Sequence, residues 1–163
     1  MAATRAFHSG GGVRLAAERW VPAGELRAEV VFVHGLGEHR RARPYVPFYE
    51  RLAAHGYGVF AFDLRGHGES EGPRLHARDF ATLERDVARA VEVAADDARG
   101  RPVFVIGGSL GGLLAIASAL EPHESLAGVV AGSPALDASG ASPLMRKLLP
   151  LLARVAPRVR FDP

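Results

Sequence analysis

The chain has 163 residues, the size of one domain, and no cysteine, which excludes disulfide frameworks, thiolate nucleophiles and cysteine-based zinc sites. Hydrophobic residues make up 48% and charged residues 23%, the balance of an ordinary globular domain rather than a disordered tail, a collagen-like repeat or a coiled coil. Twenty basic against eighteen acidic side chains leave +2, too even to point to nucleic acid.

Met1 to Trp20 carries no basic region followed by an apolar stretch, so nothing marks the chain for export, and no apolar run approaches the ~20 residues of a membrane helix. A cytoplasmic location is the expectation. Ala6 to Ser9 and Val13 to Val21 read as strands reversed at Gly10, Gly11 and Gly12, where positive φ is cheap. Val30 to Val33 is a continuous apolar run that suits a strand covered on both faces, and Phe48 to His55 reads as a helix closed by Gly56. Val59 to Phe62 is a second buried strand. A longer helix follows, capped by Asp79, with Phe80, Leu83, Val87, Val91 and Ala94 at helical spacing and Gly100 after the last turn. Val103 to Ile106, Leu110 to Leu120 and Leu126 to Ala131 complete the alternation as strand, helix and strand. The pattern predicts an α/β fold: a mostly parallel sheet with an N-terminal hairpin and helices on both faces, joined by right-handed crossovers. From Pro143 the chain becomes leucine-rich and basic, interrupted by Pro150 and Pro157.

The sharpest chemical signal is Gly107-Gly108-Ser109-Leu110-Gly111 between a predicted strand and a predicted helix, the context of a G-x-S-x-G nucleophile elbow. Glycines at 107 and 111 let neighbouring chain approach a sharp turn, and the helix beginning at Leu110 offers free N–H groups to developing negative charge. A phosphate-binding loop fits less well, since G-x-G-x-x-G is not matched and no lysine follows. His34-Gly35-Leu36-Gly37, after the first buried strand, can supply a second donor, so the amides of Leu36 and Leu110 are the candidate oxyanion hole. His34 is expected to orient its loop rather than take a proton. In Asp63 to Gly72, Asp63 and Arg65 are expected to tie down a structural loop by charge-assisted bonds.

At these residues the chain resembles the α/β-hydrolase superfamily and, within it, the monoacylglycerol lipase and lysophospholipase-like hydrolases. The likeness rests on H-G-L-G-E-H at 34–39, D-L-R-G-H-G-E-S-E-G at 63–72, G-G-S-L-G-G at 107–112 and S-P-A-L at 133–136, four motifs in order. It implies Ser109 as nucleophile, Leu36 and Leu110 as oxyanion donors, a lipid-like ester substrate, no cofactor or metal, and a mobile cap after the Ser-Pro-Ala-Leu segment. Residues 1–142 are then the N-terminal part of a hydrolase core, and 143–163 the start of a cap through which peripheral membrane contact is expected. The family places its triad acid and histidine beyond the cap, after further strands. These C-terminal strands are missing here. After Ser109 the only histidine is His123, expected in a surface turn at the helix end remote from Ser109, roughly 15 Å along the axis. Asp137 follows the last predicted strand, where some α/β hydrolases carry the acid, but an acid without its histidine completes nothing. The expectation is a serine ester hydrolase fold whose isolated chain is inactive or very weak, with an exposed sheet edge prone to self-association. The alternatives are a non-catalytic hydrolase-fold module and a hydrolase of small esters.

Overall fold

The computed structural model describes residues 2–121 and 124–136. Six strands and three helices alternate among them: β1 (Ala2–His8), β2 (Arg14–Trp20), β3 (Ala28–Val33), α1 (Tyr45–Ala54), β4 (Tyr57–Phe62), α2 (Phe80–Ala98), β5 (Val103–Gly108), α3 (Leu110–Leu120) and β6 (Leu126–Gly132). They build one sheet in the order β1-β2-β4-β3-β5-β6. The hairpin β1-β2 is antiparallel and β2 runs antiparallel to β4, whereas β4, β3, β5 and β6 are mutually parallel. The three buried runs of the parallel part lie side by side, with β3 between β4 and β5.

The strand pleat divides the core into two layers, because alternate side chains face opposite sides. Val31, Val33, Phe60, Phe62, Val103 and Val105 meet Val87 and Val91 of α2 and Leu114 of α3. Val30, Phe32, Val59 and Ala61 face the other way, onto Trp20 of β2 and Tyr49 of α1. Helices therefore cover both faces. Each large apolar side chain buried this way contributes about 1.5–3 kcal/mol before ordering costs.

Glu29 breaks the apolar run of β3, and its carboxylate is fully buried. Arg19 on β2 meets it with two hydrogen bonds of 2.8 and 2.9 Å, and the carboxylate lies over Gly58 of β4, where a Cβ would come within 2.0 Å of its oxygen. Burial raises the Glu29 pKa against the opposing pull of Arg19.

Most boundaries lie within two residues of the sequence expectation, and two shift by more. Helix α1 starts at Tyr45 rather than Phe48, with Pro47 in its first turn, where no intrahelical acceptor awaits the N–H that proline lacks. Strand β1 begins at Ala2 rather than Ala6, because the ladder to β2 continues through the exposed stretch Ala2–Arg5. Asp79 caps α2 as expected, its side chain accepting from the Thr82 N–H at 2.7 Å. The helix closes with Arg99 itself left-handed ahead of Gly100. His123, Asp137, the boundary at 142 and the cap segment at 143–163 lie outside the described residues. Among the described residues β6 pairs only with β5, Val130 is 55% exposed, and no helix is long and apolar enough to cross a membrane.

Tyr49 is fully buried, and its hydroxyl has no hydrogen-bond partner among the described residues. A polar atom left unpaired in the core costs about 1–3 kcal/mol, so Tyr49→Phe is expected to raise stability by about 1 kcal/mol in urea unfolding. Tyr45→Phe, which removes a hydroxyl bonded to Glu38, should lower it. A Tyr49→Phe protein less stable than the parent would mean that the hydroxyl is satisfied.

Candidate active site

Strands β3 and β5 are adjacent and parallel, with Val33 opposite Gly107, so the turns that follow them leave from one edge of the sheet. Ser109 is the turn residue between β5 and α3. Its φ of 51° and ψ of −119° lie outside the regions that ordinary residues favour, at a cost of order 1–3 kcal/mol. Three backbone hydrogen bonds hold it there. The Ser109 N–H donates to Gly132 O at 3.0 Å, and its carbonyl accepts from Leu113 N at 3.0 Å and Ala135 N at 3.1 Å. The Ser-Pro-Ala-Leu segment after β6 thus braces the elbow.

The glycines around Ser109 are required by space. A Cβ on Gly107 would lie 2.2 Å from Gly111 O, and one on Gly111 would lie 2.0 Å from Val33 O and 2.7 Å from His34 O. The first turn of α3 therefore presses directly on the end of β3. Gly35 completes the contact, since a Cβ there would sit 3.4 Å from Ser109 Cβ. The structure brings the His34–Glu38 loop and Ser109 together, and Leu110, as the first residue of α3, has no intrahelical acceptor for its N–H. The Leu36 side chain is exposed.

The His34–Glu38 loop is braced from three sides. His34 is fully buried; its Nε2 accepts from the Leu64 N–H at 3.0 Å, so the proton sits on Nδ1, which donates to Gly35 O at 2.7 Å. Burial pushes this imidazole down to about 4, helped by the neighbouring His67 ring and opposed by the Gly35 carbonyl, Asp63 and Glu38. His34 orients its loop, as expected. The Glu38 carboxylate turns back to accept the Gly35 N–H at 2.8 Å and is also bonded by the Tyr45 hydroxyl.

Asp63 and Arg65 do tie down the next loop, through separate partners. Asp63 accepts from Arg40 N at 2.7 Å and Glu69 N at 2.8 Å, and pairs with the Arg40 guanidinium. Arg65 grips Asp86 of α2 with two bonds of 2.6 Å and reaches Ser9 at 2.8 Å. Arg40, buried between Asp63, Glu69 and Glu18, and Glu38 are the supporting residues that the sequence reading missed. A basic run such as His39–Arg43 looks like a solvated surface, and nothing local singles out its one buried arginine.

The profile of the family described as "Serine aminopeptidase, S33" matches residues 24–163. The chain belongs to this family of α/β hydrolases. It is 38% identical over 167 residues to a monoacylglycerol lipase of Mycolicibacterium smegmatis, covering 99% of this chain and 59% of that protein. It is 38% identical over 150 residues to the Homo sapiens monoglyceride lipase, covering 88% of this chain and 48% of that one. The structure of a soluble variant of monoglyceride lipase from Saccharomyces cerevisiae superposes with a TM-score of 0.79 at 26% identity, over 97% of this chain and 54% of the other. The chain therefore corresponds to the N-terminal portion of monoacylglycerol lipase-like hydrolases and spans about half their length.

Two outcomes test this geometry. Gly111→Ala drives a methyl group into the Val33 carbonyl and is expected to cost about 3 kcal/mol or to prevent folding, whereas Gly10→Ala, with nothing within 4 Å, should leave thermal unfolding nearly unchanged. For His34, the unfolded imidazole takes a proton near 6.5, while the native one stays neutral down to about 4. Its contribution is full above pH 6.5 and is lost as pH falls toward 4, by about 2 kcal/mol between pH 6.5 and 5. His34→Gln can still accept from Leu64 N and should flatten the slope of urea stability over this range. An unchanged slope would show that His34 is not the group responsible.

Proposed function

We propose that Ser109 is the nucleophile of a carboxylic ester hydrolase acting through an acyl-enzyme on monoacylglycerol or lysophospholipid-like esters, in the cytoplasm. The left-handed elbow pressed against the Gly35 turn carries this reading, because it supports one pocket for both a reacting carbonyl and its oxyanion. In this mechanism the Ser109 Oγ attacks the ester carbonyl as a histidine takes its proton, and the negative charge on the carbonyl oxygen is met by the amides of Leu36 and Leu110. The dipole of α3 favours the same charge. The leaving alcohol departs with a proton delivered by a histidine, and water then attacks the acyl-enzyme. Neither that histidine nor its acid partner is among the described residues. His34, neutral and spent on Leu64 and Gly35, is a positioning residue for the oxyanion turn. Residues 143–163 form the start of a cap in this reading, and the outer edge of β6 is the surface for self-association.

The 163-residue chain by itself is expected to hydrolyse p-nitrophenyl and monoacylglycerol esters very weakly, at the residual ~10³ to 10⁴ over water that an oxyanion hole and binding supply. Joining residues 1–136 to the remaining part of the Mycolicibacterium smegmatis relative should restore turnover of monoacylglycerol, and Ser109→Ala should then remove it. Turnover indifferent to Ser109→Ala would sink the proposal. A preference for aminoacyl p-nitroanilides over esters would replace it with the peptidase activity in the family's name.

A further inference from the structure

We propose that Glu38, anchored by Tyr45, is a positioning residue that aims the Leu36 N–H at the carbonyl oxygen of the substrate, and that it serves as a hydrogen-bond acceptor rather than as a charge. The inference deepens the reading of Ser109 as a nucleophile and rests on it.

A backbone donor is aimed by its peptide plane. That plane is trans, so the Leu36 N–H points opposite to the Gly35 carbonyl with which it shares the peptide. Whatever holds the Gly35 carbonyl therefore aims the Leu36 N–H. Two donors hold it, His34 Nδ1 at 2.7 Å and the Glu38 N–H at 3.3 Å. The second bond closes a four-residue turn from Gly35 to Glu38, in which Gly37 takes the third place with the φ of 77° that a type II turn requires there. Among the described residues no acceptor meets the Leu36 N–H.

The amide of Gly35 is tied by the same residue. Glu38 Oε2 accepts the Gly35 N–H at 2.8 Å, so Glu38 grips Gly35 by its amide through the side chain and by its carbonyl through the main chain. The same carboxylate oxygen accepts from the Tyr45 hydroxyl. Tyr45 opens α1, and its ring packs on Phe32 of β3 with centroids 4.6 Å apart. Burial, reinforced by the Glu38 carboxylate, pushes the Tyr45 hydroxyl up to about 12, so it remains a donor through neutral pH. Contacts thus run from the core at Phe32 through Tyr45 and Glu38 to the turn that carries Leu36.

The charge on Glu38 is not what this arrangement needs. A Cβ on Gly35 would meet the Glu38 carboxylate at 2.7 Å and Ser109 Cβ at 3.4 Å, so the carboxylate and the nucleophile flank the space of one missing methyl group. Negative charge there opposes the charge that develops on the substrate oxygen. A neutral oxygen in the same place would accept from Gly35 and Tyr45 without that penalty.

The chimera of residues 1–136 with the remaining part of the Mycolicibacterium smegmatis relative tests this. Glu38→Ala is expected to lower kcat on monoacylglycerol about thirtyfold and to leave KM within about twofold, because a misaimed oxyanion donor is felt in the transition state and not in substrate binding. Glu38→Gln, whose amide oxygen can accept both bonds, should keep kcat within about threefold of the parent, and Tyr45→Phe should fall between the two. In the 163-residue chain, Glu38→Ala should speed hydrogen exchange of the Gly35 amide about tenfold or more. If Glu38→Ala does not fold, Tyr45→Phe decides by the same two readouts. Parent kcat in Glu38→Ala, a loss expressed in KM, Glu38→Gln as slow as Glu38→Ala, or unchanged Gly35 exchange would overturn the proposal and leave the reading of Ser109 standing. Turnover indifferent to Ser109→Ala would remove both.

Discussion

The close approach of α3 to the end of β3 is the constraint on which the rest of the site depends. The backbone at Gly111 sits so near the Val33 carbonyl that no side chain fits between them, and this contact sets how far the Ser109 turn stands from the His34–Glu38 turn. In the proposed reaction a nucleophile and an oxyanion donor that follow separate strands must be held within a few tenths of an ångström of a working geometry. Backbone against backbone does this better than side-chain packing, because no rotamer intervenes. The strain at Ser109 is tolerated for the same reason: with both neighbouring segments immovable, the chain has no relaxed conformation to fall into.

Around that contact the loops are fixed by buried polar groups. His34 spends both ring nitrogens on backbone groups of two different turns. Asp63 gathers the Arg40 and Glu69 amides, and Arg40 joins the ends of β2 and β4 to both loops. Each is desolvated and therefore costly unless its partners are in place, so loss of one member leaves the others buried and uncompensated. The bracing of the site is thus cooperative.

Much of this was legible in the chain. The runs Val30–Val33, Val59–Phe62 and Val103–Ile106 announce strands covered on both faces, and the spacing of Val87, Val91 and Ala94 announces the helix that covers one of them. The elbow was readable because a sharp strand-to-helix turn needs glycine at fixed offsets from its central residue, as where Gly107 meets Gly111 four residues on. What was hidden acts across the chain. Glu29 looks like an interruption until Arg19 on another strand faces it, and Arg40 looks like one more surface cation until Asp63 and Glu18 close around it. Glu38 is a loop acid by composition, and only the fold shows it turning back on the Gly35 amide.

The place of β3 in the sheet also bears on how the chain acquires its structure. This strand is laid down early, yet its neighbours are β4 and β5, so Val31 must wait for Phe60 on one side and Val105 on the other. The hairpin β1-β2 likewise finds its partner only when Phe62 has emerged. Pairings so distant along the chain demand large loop closures before any contact rewards them, which makes folding slow and leaves bare apolar strands exposed meanwhile. During synthesis Val31 emerges long before Val105, so one edge of this fully buried strand stays bare until β5 has been made.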